Sequence, residues 1–464
     1  MRSHRSYRVP ALLLVALVLS ACASYQPGAL RSELPADTVP AQLQGSSKGD
    51  LPALAWRGIV TDPRLVQLVE RALVNNLDLR LAALNIDAAR AAYRITDAAL
   101  LPTVTTSGTV TRARSSAALG TGVATTQYGV SLGVAAWEID LWGRLGDLKS
   151  AALASYLSKE ETRASVQATL ISETLQAWLT LSADRQLARL AQETLDDWKE
   201  TLSLTERRQA LGAASTLDVA AAQASVQTAR ADLASVRTQV DQDRNALRVL
   251  LGGELDEALL PGEQEADDLA RLPAVPGDLS SAVLLRRPDV RAAERSLQAQ
   301  EANVAAARAA LFPSISLTTS AGQASTSLET LSQSGQRTWS IAPSISLPIF
   351  DGGAAKAQLQ SARVDQQIAL TNYQKTLQTA FEEAANALAI RQRIDERLAA
   401  QGAQVLAYET VLRLTETQRK LGAASAQTVL TAQLNLYAAQ KTLISLRLTE
   451  QANRLTLYKV LGGA

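Results

Sequence analysis

The sequence predicts a mainly helical fold with a smaller β portion, written as two tandem repeats, and three observations carry this prediction. Alanine and leucine dominate while aromatics make up only 4% of the 464 residues, a bias that suits long helices packed closely together. Two long stretches are almost free of helix breakers: Asp147 to Ala210 holds no Gly or Pro, and Ala354 to Leu421 holds only Gly402. Short segments also recur in the same order at one shift along the chain.

The recurrences are specific. Leu211-Gly212-Ala213-Ala214-Ser215 returns as Leu421-Gly422-Ala423-Ala424-Ser425. Leu247 to Gly253 returns as Leu457 to Gly463, Ala98 to Pro102 as Ala309 to Pro313, and Asp78 and Arg80 as Asp289 and Arg291. The shift is 210 or 211 residues each time, the signature of an internal duplication. It divides the chain into a first repeat at 61–253 and a second at 279–464. The acidic segment 254–278 between them is interrupted by Pro261, Pro273 and Pro276 and reads as a surface connector.

The N-terminus gives the compartment. Arg2, His4, Arg5 and Arg8 precede an apolar run from Ala11 to Leu19, which ends in Leu19-Ser20-Ala21-Cys22. A basic start, a short apolar core and small residues before a cleavage point form an export signal, 1–21. The run is well short of the roughly 20 apolar residues of a spanning helix. Leu-Ser-Ala-Cys resembles the bacterial lipoprotein signal, in which the cysteine is lipidated; Ala23 after Cys22, rather than aspartate, implies delivery to the outer membrane. Residues 22–60 carry several prolines and glycines without a sustained period and read as an extended arm leading away from the lipid.

Composition narrows the chemistry. The formal net charge of +1 leaves no electrostatic footprint for nucleic acid. Met1, His4 and Cys22 are the only residues of their types. A chain processed at Cys22 therefore keeps no histidine, methionine or free thiol. Imidazole and sulfur metal sites are excluded, as are nucleophiles that need a His base or a Cys thiolate. No paired-carboxylate cleft is legible, and the reading is not an enzyme, with no cofactor beyond a covalent lipid on Cys22.

Each repeat has the same order of elements. A helix is expected over 78–100 and again over 289–311, stopped by Pro102 and Pro313. Strand-like segments follow at 103–112 and 127–137, then at 314–321 and 338–347. Trp339, Ile341, Ile345 and Leu347 alternate with Ser340, Ala342, Ser344 and Ser346, and Tyr128, Val130, Leu132 and Val134 with Gly129, Ser131, Gly133 and Ala135. Apolar residues on one face and small or polar ones on the other fit a lipid-spanning barrel strand, and a soluble sheet equally. If the strands cross lipid, four cannot close a barrel, since the smallest single-chain barrels have about eight. Open edges are not tolerated there, so several chains must then share one barrel.

The long helices span about 95–100 Å at 1.5 Å per residue. A Leu-Gly-Ala-Ala-Ser turn reverses each, with Gly ending one helix and Ser capping the next. The returning helices, 216–251 and 426–461, carry seams that step by three and four: Val219, Ala222, Val226, Ala229, Leu233, Val236 and Val240, then Val429, Ala432, Leu436, Ala439, Leu443 and Leu446.

Taken together, the repeated turns, the Gly-Gly ends, the proline-bounded strand pairs and the junctions Trp142-Gly143 and Phe350-Asp351-Gly352-Gly353 resemble the TolC-type outer-membrane factors, in the NodT/OprM-like lipoprotein branch that serves resistance-nodulation-division (RND) efflux pumps. The resemblance covers the whole mature chain. It implies a homotrimer whose 12-stranded β-barrel in the outer membrane continues into a 12-helix periplasmic α-barrel. It also implies a periplasmic adaptor docked on the two turns, residues 211–215 and 421–425, and an inner-membrane pump that supplies the energy. Asp218 matches an aspartate of the family's pore latch; the partner tyrosine is replaced here by Arg419, so that a charge-assisted pair is expected, with a solvated, unpaired Asp218 as the alternative. Thr428 and Thr431 stand where the better-known channel carries an acidic ring that would favour cations, and Ala424 stands at a latch-arginine position. That channel's cation preference is therefore not carried over and the chain reads as a general efflux duct, and the missing methionines and histidines argue against a dedicated copper or silver relay. Two other readings remain open: the duct of a type I protein-secretion system, and a lipid-anchored periplasmic coiled-coil scaffold.

Overall fold

The computed structural model describes residues 38–40, 43, 56–58, 60, 62–114, 122–262 and 280–463. The export signal, Cys22, most of the 22–60 arm and most of the 254–278 connector lie outside the described residues. Among the described residues seven α-helices and four strands follow one another: α1 (Pro63–Asn75), α2 (Leu77–Ala98), β1 (Val104–Arg114), β2 (Ala124–Glu138), α3 (Arg144–Ala210), α4 (Thr216–Leu251), α5 (Pro288–Ala309), β3 (Ser314–Ser325), β4 (Arg337–Ser346), α6 (Ala354–Lys420) and α7 (Ala426–Val460). The repeat is exact in length for the main elements: α2 and α5 have 22 residues each, α3 and α6 have 67 each.

Compactness cuts across the repeats. One unit takes Asn85–Glu160 and Ala292–Tyr373; the other takes Arg31–Leu84, Glu161–Arg291 and Gln374–Ala464. The first holds a single antiparallel sheet in the order β1-β2-β3-β4. The second holds the return helices, both reversing turns and the larger apolar core.

Helix α1 has no counterpart among the sequence expectations. Its signals are local: the Asp62 carboxylate accepts from the Arg64 N–H at 2.8 Å and Pro63 occupies the first turn. Leu65, Leu68, Val69 and Ala72 form a buried stripe. That stripe packs in a cluster with Leu79, Leu175, Trp178, Leu247, Leu251 and Tyr458. The Trp178 indole N–H donates to the Leu259 carbonyl at 2.9 Å, so its one polar atom is satisfied in the core.

Helix α2 ends at Ala98 and α5 at Ala309, two residues before the expected stops, because residues 99–101 and 311–312 turn back with N–H bonds to the carbonyl three residues earlier. Both starts are stitched differently at equivalent positions. Asn76 caps α2 by accepting from the N–H groups of Asp78 (2.9 Å) and Leu79 (3.0 Å). Its equivalent, Arg287, is buried and pairs with Asp289 and Glu383, at 2.7 Å each.

The coiled-coil seams run as the spacing implies. Val219, Ala222, Val226, Ala229 and Leu233 are buried along α4, and the seam continues through Asp243, Leu247 and Leu251. On α7, Val429, Ala432, Ala439 and Leu446 are buried, followed by Glu450, Asn453 and Leu457. The repeat's glycine end is a steric requirement at Gly252: its φ is +64°, and a Cβ there would lie 2.5 Å from the Asn75 carbonyl oxygen.

Candidate functional site

The sheet's register sorts its residues onto two faces. Val104, Thr106 and Val110 lie opposite Val134, Leu132 and Tyr128; Val134 and Leu132 lie opposite Thr319 and Ala321; and Ile315, Thr319 and Ala321 lie opposite Ile345, Ile341 and Trp339. One face is thus mostly apolar on all four strands, with Arg112, Gln323 and Arg337 toward one end of it. The other carries Ser, Thr, Gly and Ala, with hydroxyl pairs across the strands: Ser107–Ser131 at 3.0 Å, and Ser316–Ser344 and Ser320–Ser340 at 2.8 Å each. Every residue of β1 and β4 is exposed. Each of these outer strands pairs on one side only.

Strand-to-helix junctions are rigidly built. The Trp137 indole donates to the Leu100 carbonyl at 3.1 Å and that of Trp142 to the Pro313 carbonyl at 2.7 Å, while the Trp142 ring stacks on Phe312 with centroids 5.0 Å apart. Gly143 takes φ +78°. At the second junction Asp351 accepts from the Gly353 and Ala355 N–H groups at 2.8 Å each, and these bonds hold its carboxyl below the usual carboxylate range.

The two turns are near replicas. Gly212 (φ +74°) and Gly422 (φ +78°) end the long helices, with the Ala213 N–H donating to the Arg208 carbonyl at 2.7 Å and that of Ala423 to the Gln418 carbonyl at 2.8 Å. Ser215 and Ser425 then cap α4 and α7, each accepting at 3.1 Å from the N–H of Asp218 or Thr428. Leu211, Leu217 and Leu421 stand exposed at these turns.

The latch candidates fall at equivalent positions with unequal chemistry. The Asp218 carboxylate closes a capping box on the Ser215 N–H at 2.9 Å and the Ser215 hydroxyl at 2.7 Å. These bonds hold its carboxyl below the usual range, with Arg419 and Arg208 acting on it only through space. No bond joins Asp218 to Arg419 among the described residues. Burial lowers the proton affinity of Arg419, the nearby Arg208 charge lowers it further, and Asp218 opposes both. Thr428 shares its hydroxyl with Ser425 at 2.8 Å, and Thr431 bonds back to the Gln427 carbonyl at 2.9 Å. Arg208 is the member of this cluster that sequence reasoning missed.

A polar link ties the return helices together. Tyr437 on α7 donates to Asp232 on α4, and Lys441 reaches both Asp232 oxygens at 3.2 Å. Burial, then the bond to Asp232, pushes the Tyr437 hydroxyl well above its usual value. No sequence motif marked this triad, because its members lie 205 and 209 residues apart.

A third feature is a carboxyl pair between α3 and α4. Asp184 neighbours Asp243, and burial, followed by the closeness of the Asp243 carboxyl, raises the Asp184 pKa to about 7. The folded value lies above the unfolded one, so the stabilisation is full at low pH and is lost as pH rises towards 7. Thermal unfolding in detergent should therefore shift to lower temperature between pH 5 and pH 8. Asp184→Asn should flatten that slope and raise stability at pH 8 by about 1–2 kcal/mol, allowing for solvent screening of a half-exposed carboxyl. An unchanged slope in the variant would remove the pair as its cause.

Among the described residues no group of three His, Cys, Asp or Glu side chains is placed to hold a metal ion. The cleft of about 460 Å³ between α6 and α7 is lined by Arg397, Gln401, Gln404, Thr442 and Thr449, with no acid–base pair. No described helix is long and apolar enough to cross a membrane.

Comparison with known proteins matches these features. The family model "Outer membrane efflux protein" matches residues 68–253 and 279–463, one match in each repeat. The toluene efflux pump outer membrane protein TtgC of Pseudomonas putida is 44% identical over 412 residues, covering 88% of this chain and 84% of that protein. The solved structure of CusC superposes with a TM-score of 0.85 at 33% identity, covering 93% of this chain and 98% of that one. The open state of the Neisseria gonorrhoeae MtrE outer membrane channel does so with a TM-score of 0.82 at 34% identity, covering 95% and 98%.

Proposed function

The chain belongs to the outer membrane efflux protein family, and from that premise we infer that it is the outer-membrane duct of a tripartite RND-type efflux system, a passive conduit for drugs and other small solutes from periplasm to exterior. The observation that carries this reading is the two-faced sheet with two unpaired edges. A face of Val, Ile, Leu, Trp and Tyr suits lipid and a face of Ser, Thr and Gly suits a water-filled lumen. Open edges cannot persist in lipid, so the sheet requires further copies of itself. Three copies give the homotrimer and 12 strands that the resemblance implies.

The remaining parts of the assembly follow the same reading. A lipid on Cys22 anchors the chain to the outer membrane. The exposed Leu211 and Leu421 at the two turns meet a periplasmic adaptor, which connects to an inner-membrane pump. Transport needs no catalytic group in the duct, because the pump supplies the energy. The family membership and the lipoprotein signal favour this over a type I secretion duct. A coiled-coil scaffold leaves the amphipathic sheet without a role.

At the entrance, Asp218, Arg419 and Arg208 set the resting state by through-space charge, with Thr428 and Thr431 in the second repeat. The test uses cells in which this chain is the sole efflux duct. Its deletion should raise accumulation of a fluorescent pump substrate and sensitivity to toluene, and unchanged accumulation would overturn the reading. Arg419→Glu should place two carboxylates beside one another, loosen the closed entrance and admit bulky antibiotics that the native chain excludes. Equal uptake in the two strains would remove Arg419 from the latch.

A further inference from the structure

The two ends of the sheet differ in charge. At the end near the helices every acidic group is engaged: Glu138 pairs with Arg144 at 2.6 Å, Asp140 accepts from the Gly146 N–H at 2.8 Å, and Asp351 caps the start of α6. The opposite, loop end carries Arg112 and Arg114 on β1 and Arg337 on β4. Glu329 is the only acidic residue of segments 104–137 and 314–346. All three arginines are exposed, and none pairs with a carboxylate among the described residues. Arg114 gives its Nε to the Gly122 carbonyl at 2.8 Å.

These arginines lie on the mostly apolar face, and they lie in one band. The register puts Arg337 in a row with Gln323, Val130 and Gly108, four residues short of Arg112. The strand ends are staggered in the same sense: Val104 begins β1 in the row of Ile341, five residues before β4 ends at Ser346. A barrel strand tilted by about 40° makes each such row climb toward the loop end. Three strand spacings then raise Arg337 by about 10 Å, the height that four further residues give Arg112. Next inward on β4 comes Trp339, 78% exposed, then Ile341 and Ile345; Tyr128 stands beside Val110, one step inward of Arg112. Arginine, aromatic and aliphatic residues thus follow in the order of headgroup, interface and hydrocarbon.

We propose that Arg112, Arg114 and Arg337 form an anion-binding rim for the phosphorylated glycolipid of the outer leaflet. The proposal rests on the duct reading, which turns the helices to the periplasm and the loop end to the exterior. The outer leaflet presents glycolipid phosphates at headgroup depth, where a guanidinium meets phosphate oxygens through two parallel N–H bonds. Arginine is costly at the midplane of a lipid-facing surface and nearly free at its edge, so a band confined to the edge suits a headgroup. Long basic side chains also reach outward along such a surface, which brings their charge to that depth.

Native mass spectrometry of the full, detergent-solubilised protein titrated with bis-phosphorylated lipid A tests the rim. The unaltered chain should bind it, and a variant carrying Arg112→Ser, Arg114→Ser and Arg337→Ser should bind at least about tenfold more weakly. Lipid A stripped of both phosphates should bind the unaltered chain as weakly as intact lipid A binds the variant. Inorganic phosphate should not compete; full competition would assign the rim to a free anion and overturn the lipid. If the triple variant fails to insert, Arg337→Gln alone, which leaves β1 untouched, should weaken binding about fivefold. No binding by the unaltered chain, or equal affinity in a variant that still forms pores, overturns the rim and leaves the duct intact. An unaltered chain that forms no pore in a planar bilayer overturns the duct reading and, with it, the rim.

Discussion

Val130→Arg is expected to abolish insertion into the outer membrane, whereas Ala342→Arg is expected to leave insertion intact and lower conductance. Val130 lies on the apolar face, opposite Gly108 on β1 and Gln323 on β3. Ala342 lies on the other face, opposite Thr318, between Ser340 and Ser344. An arginine facing lipid near the bilayer midplane costs about 2–4 kcal/mol. Three copies place three such charges in one barrel, which is comparable with the whole stability of a typical domain. An arginine in the lumen keeps its hydration and adds only bulk and charge. Membrane fractionation and native gels of the two variants check this. Equal insertion of both would show that the apolar face does not meet lipid.

Trp178→Ala is expected to destabilise the chain by about 3–5 kcal/mol, the usual cost of emptying a buried aromatic site. Trp178 is fully buried in the cluster built by α1, α3, α4 and α7. Its loss also strands the Leu259 carbonyl that accepts its N–H, which adds a desolvation cost. Trp178→Phe should recover most of the packing but not the hydrogen bond, and so fall between the two. Chemical denaturation of the detergent-solubilised protein reads both. A loss below about 1 kcal/mol in the alanine variant would place the stability of this unit elsewhere.

Long-range repetition was legible because duplication leaves it in the sequence. The Leu-Gly-Ala-Ala-Ser turns predicted both reversals, and the structure gives each the same left-handed glycine and serine cap. Strand alternation predicted the faces, since a period of two survives whatever the partner strand is. The sequence did not reveal α1, although Asp62-Pro63 and the Leu65–Ala72 stripe were present, because a 13-residue helix is short beside the 67-residue elements that dominated the pattern. Side-chain partners across the chain were the least legible. The capping box claims the Asp218 carboxylate locally before Arg419 can reach it, and local bonds of this kind compete well with distant ones. Asp184–Asp243 and Asp232–Tyr437 depend on helix rotation, which spacing alone does not fix.

A duct built from this sheet requires several copies of the chain to close one water-filled barrel. Purified protein, its mass measured in detergent and then reconstituted into a planar lipid bilayer, tests it most directly. A trimer and discrete conductance steps under an applied voltage are expected; a monomer that leaves the bilayer insulating would overturn the shared barrel.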